Sequence, residues 1–177
     1  MMNKKLEDAL NKQISAEMNS SYLYLAMAAY FESINLPGFA NWMEVQAQEE
    51  MVHAMKFYKY IFDRSGRVEL MSIEKPPLKW NSPLNAFDET LKHEKKITSM
   101  INNLALLAIE ERDLITHNFM QWFLTEQVEE EKTANSLFEK LRMIESSTDA
   151  LFIIDKELAT RVFTPPATAT TTAATKA

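Results

Sequence analysis

The sequence predicts an all-α fold: a four-helix bundle with one long crossover and a short fifth C-terminal helix. Three observations lead there. Glycine occurs only twice, at Gly38 and Gly66, near two expected helix boundaries. Strong helix formers (Leu, Ala, Met, Glu, Lys) fill the long stretches between breaks. Four of those stretches carry a core stripe in steps of three and four residues, the spacing of a bundle-facing helix.

The elements follow in order. A first helix runs from about Lys4 to Glu32, and Asn35-Leu36-Pro37-Gly38 breaks it. A second runs from about Pro37 to Arg64 and stops at Ser65-Gly66. Residues 67–81 hold Pro76-Pro77 and no amphipathic period, so they read as an extended connection. Ser82 is an N-cap followed by a first-turn proline, Pro83, and opens a third helix to about Glu111. Asp113 caps a fourth, running to about Glu145. Ser146-Ser147-Thr148-Asp149 starts the fifth, to about Arg161. The long helices span about 45 Å each at 1.5 Å per residue. The extended connection reaches about 50 Å at roughly 3.3 Å per residue, a full bundle length. The first and second helices, and the third and fourth, therefore form antiparallel hairpins joined by a crossover. Residues 1–162 make one domain, and the Thr/Ala/Pro-rich tail 163–177 is expected to be disordered.

Composition excludes several classes. With 177 residues, 46% of them apolar, the chain is globular and long enough for a full core. It has no cysteine, which removes disulfides, zinc knuckles and iron–sulfur ligation. There is no positively charged, apolar N-terminal signal segment, and the longest apolar run, Tyr22–Phe31, is too short to span a bilayer. A net charge of −6 disfavours nucleic acid and membrane surfaces and suits cations. The expected compartment is the cytoplasm.

The informative residues interrupt the stripes. The first helix reads Leu6, Leu10, Gln13, Glu17, Ser20, Tyr24, Ala28, Phe31. The second reads Phe39, Met43, Gln46, Glu50, His53, Phe57, Tyr60. The third reads Phe87, Leu91, Glu94, Thr98, Ile101, Ala105, Ala108. The fourth reads Met120, Phe123, Gln127, Glu130, Ala134, Leu137, Leu141. Each carries a carboxylate at mid-height, where an apolar residue belongs. An unpaired buried charge costs several kcal/mol, and clustered carboxylates must take up protons or cations. No lysine or arginine lies on these stripes nearby. Four carboxylates balance two divalent cations, with His53 and Gln127 as neutral donors. Oxygen ligands with one imidazole suit iron(II) or manganese(II), and zinc can compete. One position takes Glu17, Glu50 and His53; the other takes Glu50, Glu94 and Glu130, without an imidazole, so it should be the weaker. Symmetric two-metal bundles carry a second Glu-x-x-His; here Gln127-x-x-Glu130 stands in its place.

At these residues the chain resembles the bacterial non-haem ferritins, over about Lys4–Arg161. The strings that carry the resemblance are Glu17-Met18-Asn19-Ser20-Ser21-Tyr22-Leu23-Tyr24, Gln48-Glu49-Glu50-Met51-Val52-His53-Ala54, His93-Glu94-Lys95-Lys96-Ile97-Thr98, and Gln121-Trp122-Phe123 followed by Glu126-Gln127-Val128-Glu129-Glu130-Glu131. The resemblance implies that Glu17, Glu50, His53, Glu94, Gln127 and Glu130 form a di-iron ferroxidase centre. It implies a third iron site at Glu49, Glu126 and Glu129, and a catalytic tyrosine, Tyr24, beside the centre. It also implies a hollow homo-oligomeric shell of twenty-four subunits, which oxidises iron(II) with dioxygen or peroxide and stores a ferric mineral. Haem is not expected, because Val52 stands where a bacterioferritin has its haem-ligating methionine. A rubrerythrin would need cysteines. The alternatives are a non-catalytic storage or structural subunit and a fixed di-iron oxidase of an organic substrate. Trp122 is expected as packing, and His93 and His117, off the stripes, as surface residues. Tyr22, Leu25, Trp42 and Phe62 are apolar and off the inner stripe, so they are expected at subunit contacts.

Overall fold

The computed structural model describes residues 2–144 and 147–165. Five helices account for most of them: α1 (Lys4–Ser33), α2 (Pro37–Asp63), α3 (Pro83–Glu110), α4 (Leu114–Ile144) and α5 (Thr148–Leu158). Among the described residues there is no strand. The expected ends at Glu145 and Ser146, and residues 166–177 of the expected tail, lie outside the described residues.

Short polar side chains start the helices by accepting from otherwise unpaired backbone N–H groups. Asn3 accepts from Lys5 N at 2.8 Å, Ser82 from Asn85 N at 3.0 Å, and Asp113 from Thr116 N at 2.9 Å. The first three helices end alike. Asn35, Ser65 and Arg112 each take a left-handed φ, between 54° and 57°. In each case the following N–H returns to a carbonyl of the last turn: Leu36 to Phe31, Gly66 to Ile61 and Asp113 to Ala108.

Neither glycine supplies a left-handed residue; both permit close approach. A Cβ on Gly38 would stand 1.7 Å from the Asp155 carbonyl oxygen, and one on Gly66 2.8 Å from Glu7 Oε2. At Gly38 the closeness has a use. Leu36, at the N-cap of α2, makes no side-chain cap bond. Asp155 of α5 supplies it, accepting from Gly38 N at 2.8 Å and Phe39 N at 3.1 Å. Asn41 returns the service, donating to the carbonyls of Leu158 and Arg161. That clamp corrects the expected end of the fifth helix. It stops at Leu158, three residues before Arg161, because the chain turns there onto α2.

The crossover follows α1. Asn11 donates to the Arg67 carbonyl and accepts from Glu69 N, while Asn19 accepts from Glu74 N. Trp80 ends the run, buried beside Tyr30. The crossover thus brings α3 in antiparallel to α1, and α4 returns parallel to α1.

The core falls into two apolar clusters. One, around Phe31, Phe39, Trp42, Phe87 and Leu141, fills the end where α5 docks. The other, around Leu6, Leu10, Phe57, Ile61, Ile101 and Phe123, fills the opposite end. Trp42 belongs to the first and is buried, a correction to its expected place at subunit contacts: the Phe87 ring packs against it and the Arg161 guanidinium lies over its ring. Tyr22, Leu25 and Phe62 are about half exposed.

Candidate metal centre

A polar layer separates the two clusters. Glu17, Glu50 and Glu94 are each 1% exposed, and His53 and Gln127 are also buried. Helical phase puts them there, one step of three or four from apolar neighbours on the same stripes. Glu130 is half-buried at the layer's edge.

The hydrogen bonds in this layer run from neutral donors to carboxylates. Gln13 Nε2 donates to Glu17 Oε1 at 2.9 Å. Gln46 Nε2 donates to Glu130 Oε2 at 2.7 Å and reaches Glu50 Oε1 at 3.5 Å. The Tyr24 hydroxyl donates to Glu94 Oε1. Gln127 Nε2 lies 3.1 Å from Thr98 Oγ1 and 3.4 Å from Glu94 Oε2. Glu17 Oε2 has no partner, alone in this among buried side-chain polar atoms of the described residues. Such an orphan is expensive unless something outside the chain satisfies it.

One oxygen from Glu17, one from Glu50 and a ring nitrogen of His53 lie mutually within 4.8 Å, close enough to share one ion. Donor atoms of His53, Glu126 and Glu130 meet the same limit. Burial and the repulsion of Glu50 push the Glu17 carboxyl up to about 8, against a weaker lowering pull from His53. Burial also raises Glu50, Glu94 and Glu130, and their mutual repulsion raises Glu50 and Glu130 further. The Tyr24 hydroxyl is held protonated by burial and by Glu94. Without a cation, then, burial and mutual repulsion favour keeping protons on these carboxyls. With one, carboxylates release them.

Outside the layer lies a cleft of about 270 Å³, lined among others by Glu49, His53, Trp122, Glu126, Glu129, Glu130 and Arg161. The three residues expected at a third site share it but are not equally free. Glu49 is paired with Arg161, and Glu129 lies 3.6 Å from Lys132. Trp122 meets His53 edge-on at 5.4 Å, and Lys56 Nζ sits 3.5 Å over its ring.

Several participants were not legible as site residues. Gln13 and Gln46 stood on the stripes, yet their role as amide donors needs the neighbouring helix. Arg161 comes from beyond the four stripes, and no phase relation in the sequence points to it. His93 is a correction. It is half-buried, not on the surface; its Nε2 lies 2.7 Å from Ser20 Oγ, and burial, then Lys96, pushes it down to about 4. His117 is partly exposed, beside Gln121.

An antiparallel bundle with a crossover and a mid-core layer of glutamates is the architecture of the ferritin-like proteins. The ferritin-like domain matches residues 7–144, and this chain belongs to that family. It is 40% identical to the bacterial non-heme ferritin of Bacteroides fragilis (strain 638R) over 161 residues, 91% of this chain and 100% of the relative. It is 38% identical to that of Staphylococcus aureus (strain MRSA252) over 163 residues, 92% of this chain and 98% of the relative. Among solved structures it superposes on an open-pore ferritin from the hyperthermophilic archaeon Archaeoglobus fulgidus with a TM-score of 0.91 and 49% identity, covering 92% of this chain and 100% of that one. A closed form engineered from A. fulgidus ferritin gives a TM-score of 0.92 and 50% identity, over 93% and 100% of the two chains.

Proposed function

We propose that this protein stores iron and is a ferroxidase: it oxidises iron(II) at paired positions inside each subunit and holds the ferric product in a homo-oligomeric shell of twenty-four subunits. The observation that carries this reading is the set of buried carboxylates that, among the described residues, have no lysine or arginine paired with them, Glu17 Oε2 having no partner there at all. Iron is the substrate. Glu17, Glu50 and His53 would hold one ion; Glu50, Glu94 and Glu130, with Gln127 beside them, would hold the other. Two iron(II) ions give up one electron each. Dioxygen takes both with two protons and leaves as hydrogen peroxide, or hydrogen peroxide takes both with two protons and leaves as two waters. Tyr24 keeps Glu94 oriented through its hydroxyl and stands next to the electron transfer. The second position lacks an imidazole, so ferric product leaves from there. Glu49, Glu126 and Glu129 would form the third iron site on the way out.

Other features support the shell. Tyr22, Leu25 and Phe62 on the long helices and Phe152 and Ile153 on α5 are exposed, a pattern typical of subunit contacts. The relatives are named ferritins. A cytoplasmic setting fits the absence, among the described residues, of any helix long and apolar enough to cross a membrane. The direct test is anaerobic iron(II) titration followed by air. About two irons per subunit should oxidise in the first phase, since four carboxylates balance two divalent ions. A single iron per subunit would overturn the paired site.

A further inference from the structure

Arg161 sits where a cation would. Its Nη1 donates to the Trp42 carbonyl at 3.2 Å and to Gln46 Oε1 at 2.9 Å, and its Nη2 pairs with Glu49. The guanidinium carbon lies 4.5 Å from the centre of the Trp42 ring, so the group is fixed on three sides and by its stacking. The residue arrives through the turn after α5, whose Leu158 and Arg161 carbonyls are held by Asn41. Gln46 is the second link. Its oxygen faces Arg161, and its NH2 faces Glu130. A charge on the α5 side of the cleft is therefore one amide away from the inner carboxylates.

We propose that Arg161 is a built-in counter-ion for the outer carboxylates: it competes with an incoming cation for Glu49, and its displacement releases Gln46 from Glu130. Arg161 is thus a positioning residue that sets how readily the outer site fills and reports that filling to α5. This rests on the outer site proposed above. The charge logic is direct. A cation bound to Glu49 would stand within a few ångströms of the guanidinium, and like charges at that distance cannot share one carboxylate without a large penalty. Arg161 must swing aside, and the turn at residues 159–162 must move with it.

The test uses zinc(II), which is redox-inert, and calorimetry on the intact assembly. In the parent the outermost equivalent should be the weakest. In Arg161→Gln it should bind at least about tenfold tighter, the inner equivalents keeping their number. Arg161→Lys, which keeps the charge but loses the fork, should stay near the parent. In Glu49→Gln the further change Arg161→Gln should have no effect. Superimposable isotherms for the parent and Arg161→Gln would overturn the proposal. So would an equal gain in Arg161→Lys, which would make the residue a packing element only. Amide exchange on the unmutated protein gives an answer even if a variant fails to assemble. On going from zinc at the inner equivalents alone to full saturation, protection should fall over residues 158–163 and α1 should be unchanged; unchanged protection over 158–163 at that step would also overturn it. If the inner equivalents are missing while the outer one still responds to Arg161→Gln, the paired-iron reading fails and the counter-ion proposal stands.

Discussion

Two sets of carboxylates lie side by side in this bundle, and the rest of the chain treats them differently. Glu17, Glu50 and Glu94 are enclosed, and among the described residues no lysine or arginine pairs with them. Glu49 and Glu129 face a cleft, and each has a protein cation, Arg161 or Lys132. The inner set is served by amides and hydroxyls, which orient a carboxylate without neutralising it. A buried anion without a cation of its own depends on one from outside or on protons. An anion with a detachable cation can pass an ion along. The two sets are suited to holding and to handing over.

The largest expected effect strikes the inner set. Glu50 is the one carboxylate assigned to both positions, so Glu50→Ala should slow the first oxidation phase by about a hundredfold or more, and Glu94→Ala by about tenfold. Stopped-flow absorbance on iron(II) addition measures both. Equal defects would mean that the bridging carboxylate is misassigned.

Next comes the response to pH. Burial first, then the charge of Glu50, puts Glu17 at about 8, above its unfolded value. A raised carboxyl binds its proton more tightly in the folded state. Its contribution to the stability of the metal-free protein is then greatest below the usual carboxylate range and falls as pH rises toward 8. Thermal unfolding of chelator-treated protein should drop by on the order of 5 °C between pH 5 and 8, and zinc(II) should remove most of that drop. A flat profile would mean that the inner set is hydrated or paired.

A smaller effect should separate the two inner positions. Gln127→Glu adds a charged ligand beside the ion without an imidazole, so product release should slow several-fold. The second burst after repeated iron addition should lag the first. Full recovery at the parent rate would mean that this position is not the labile one.

The smallest effect should touch only the outer set. Asp155→Ala removes the cap that α5 gives to α2, at a cost of about 1 kcal/mol. Amide exchange should quicken over α5 and the first turn of α2, and the first oxidation phase should keep its rate. A slowed first phase would show that the inner layer depends on α5 docking.

The bundle itself was legible because stripes of three and four are a local signal. Glu17, Glu50, Glu94 and Gln127 stood out for the same reason, and the structure buries all four in one layer. What escaped depends on chain returning from far away. Gly38 looked like a helix breaker, but its missing side chain makes room for Asp155, 117 positions later. Trp42 was read as exposed because its cover, α5 and Arg161, shares no periodicity with α2. His93 lies off the stripe of α3, yet Ser20 of α1 reaches it across the interface.

The mid-height layer also has a consequence for how the chain finds its fold. Leu-, Ile- and Phe-rich helices can slide past one another, since one turn of hydrocarbon packs nearly as well against another. Here each long helix carries a carboxylate at the same level. If one helix slips by a turn, its glutamate leaves the amides that serve it and moves toward one of the two apolar clusters that flank the layer. A carboxyl misplaced in that way leaves its buried hydrogen bonds unmade, whether or not it is charged, much as a single polar residue sets the register of a coiled coil. The residues proposed to carry the chemistry thereby also align the four helices, before any ion arrives.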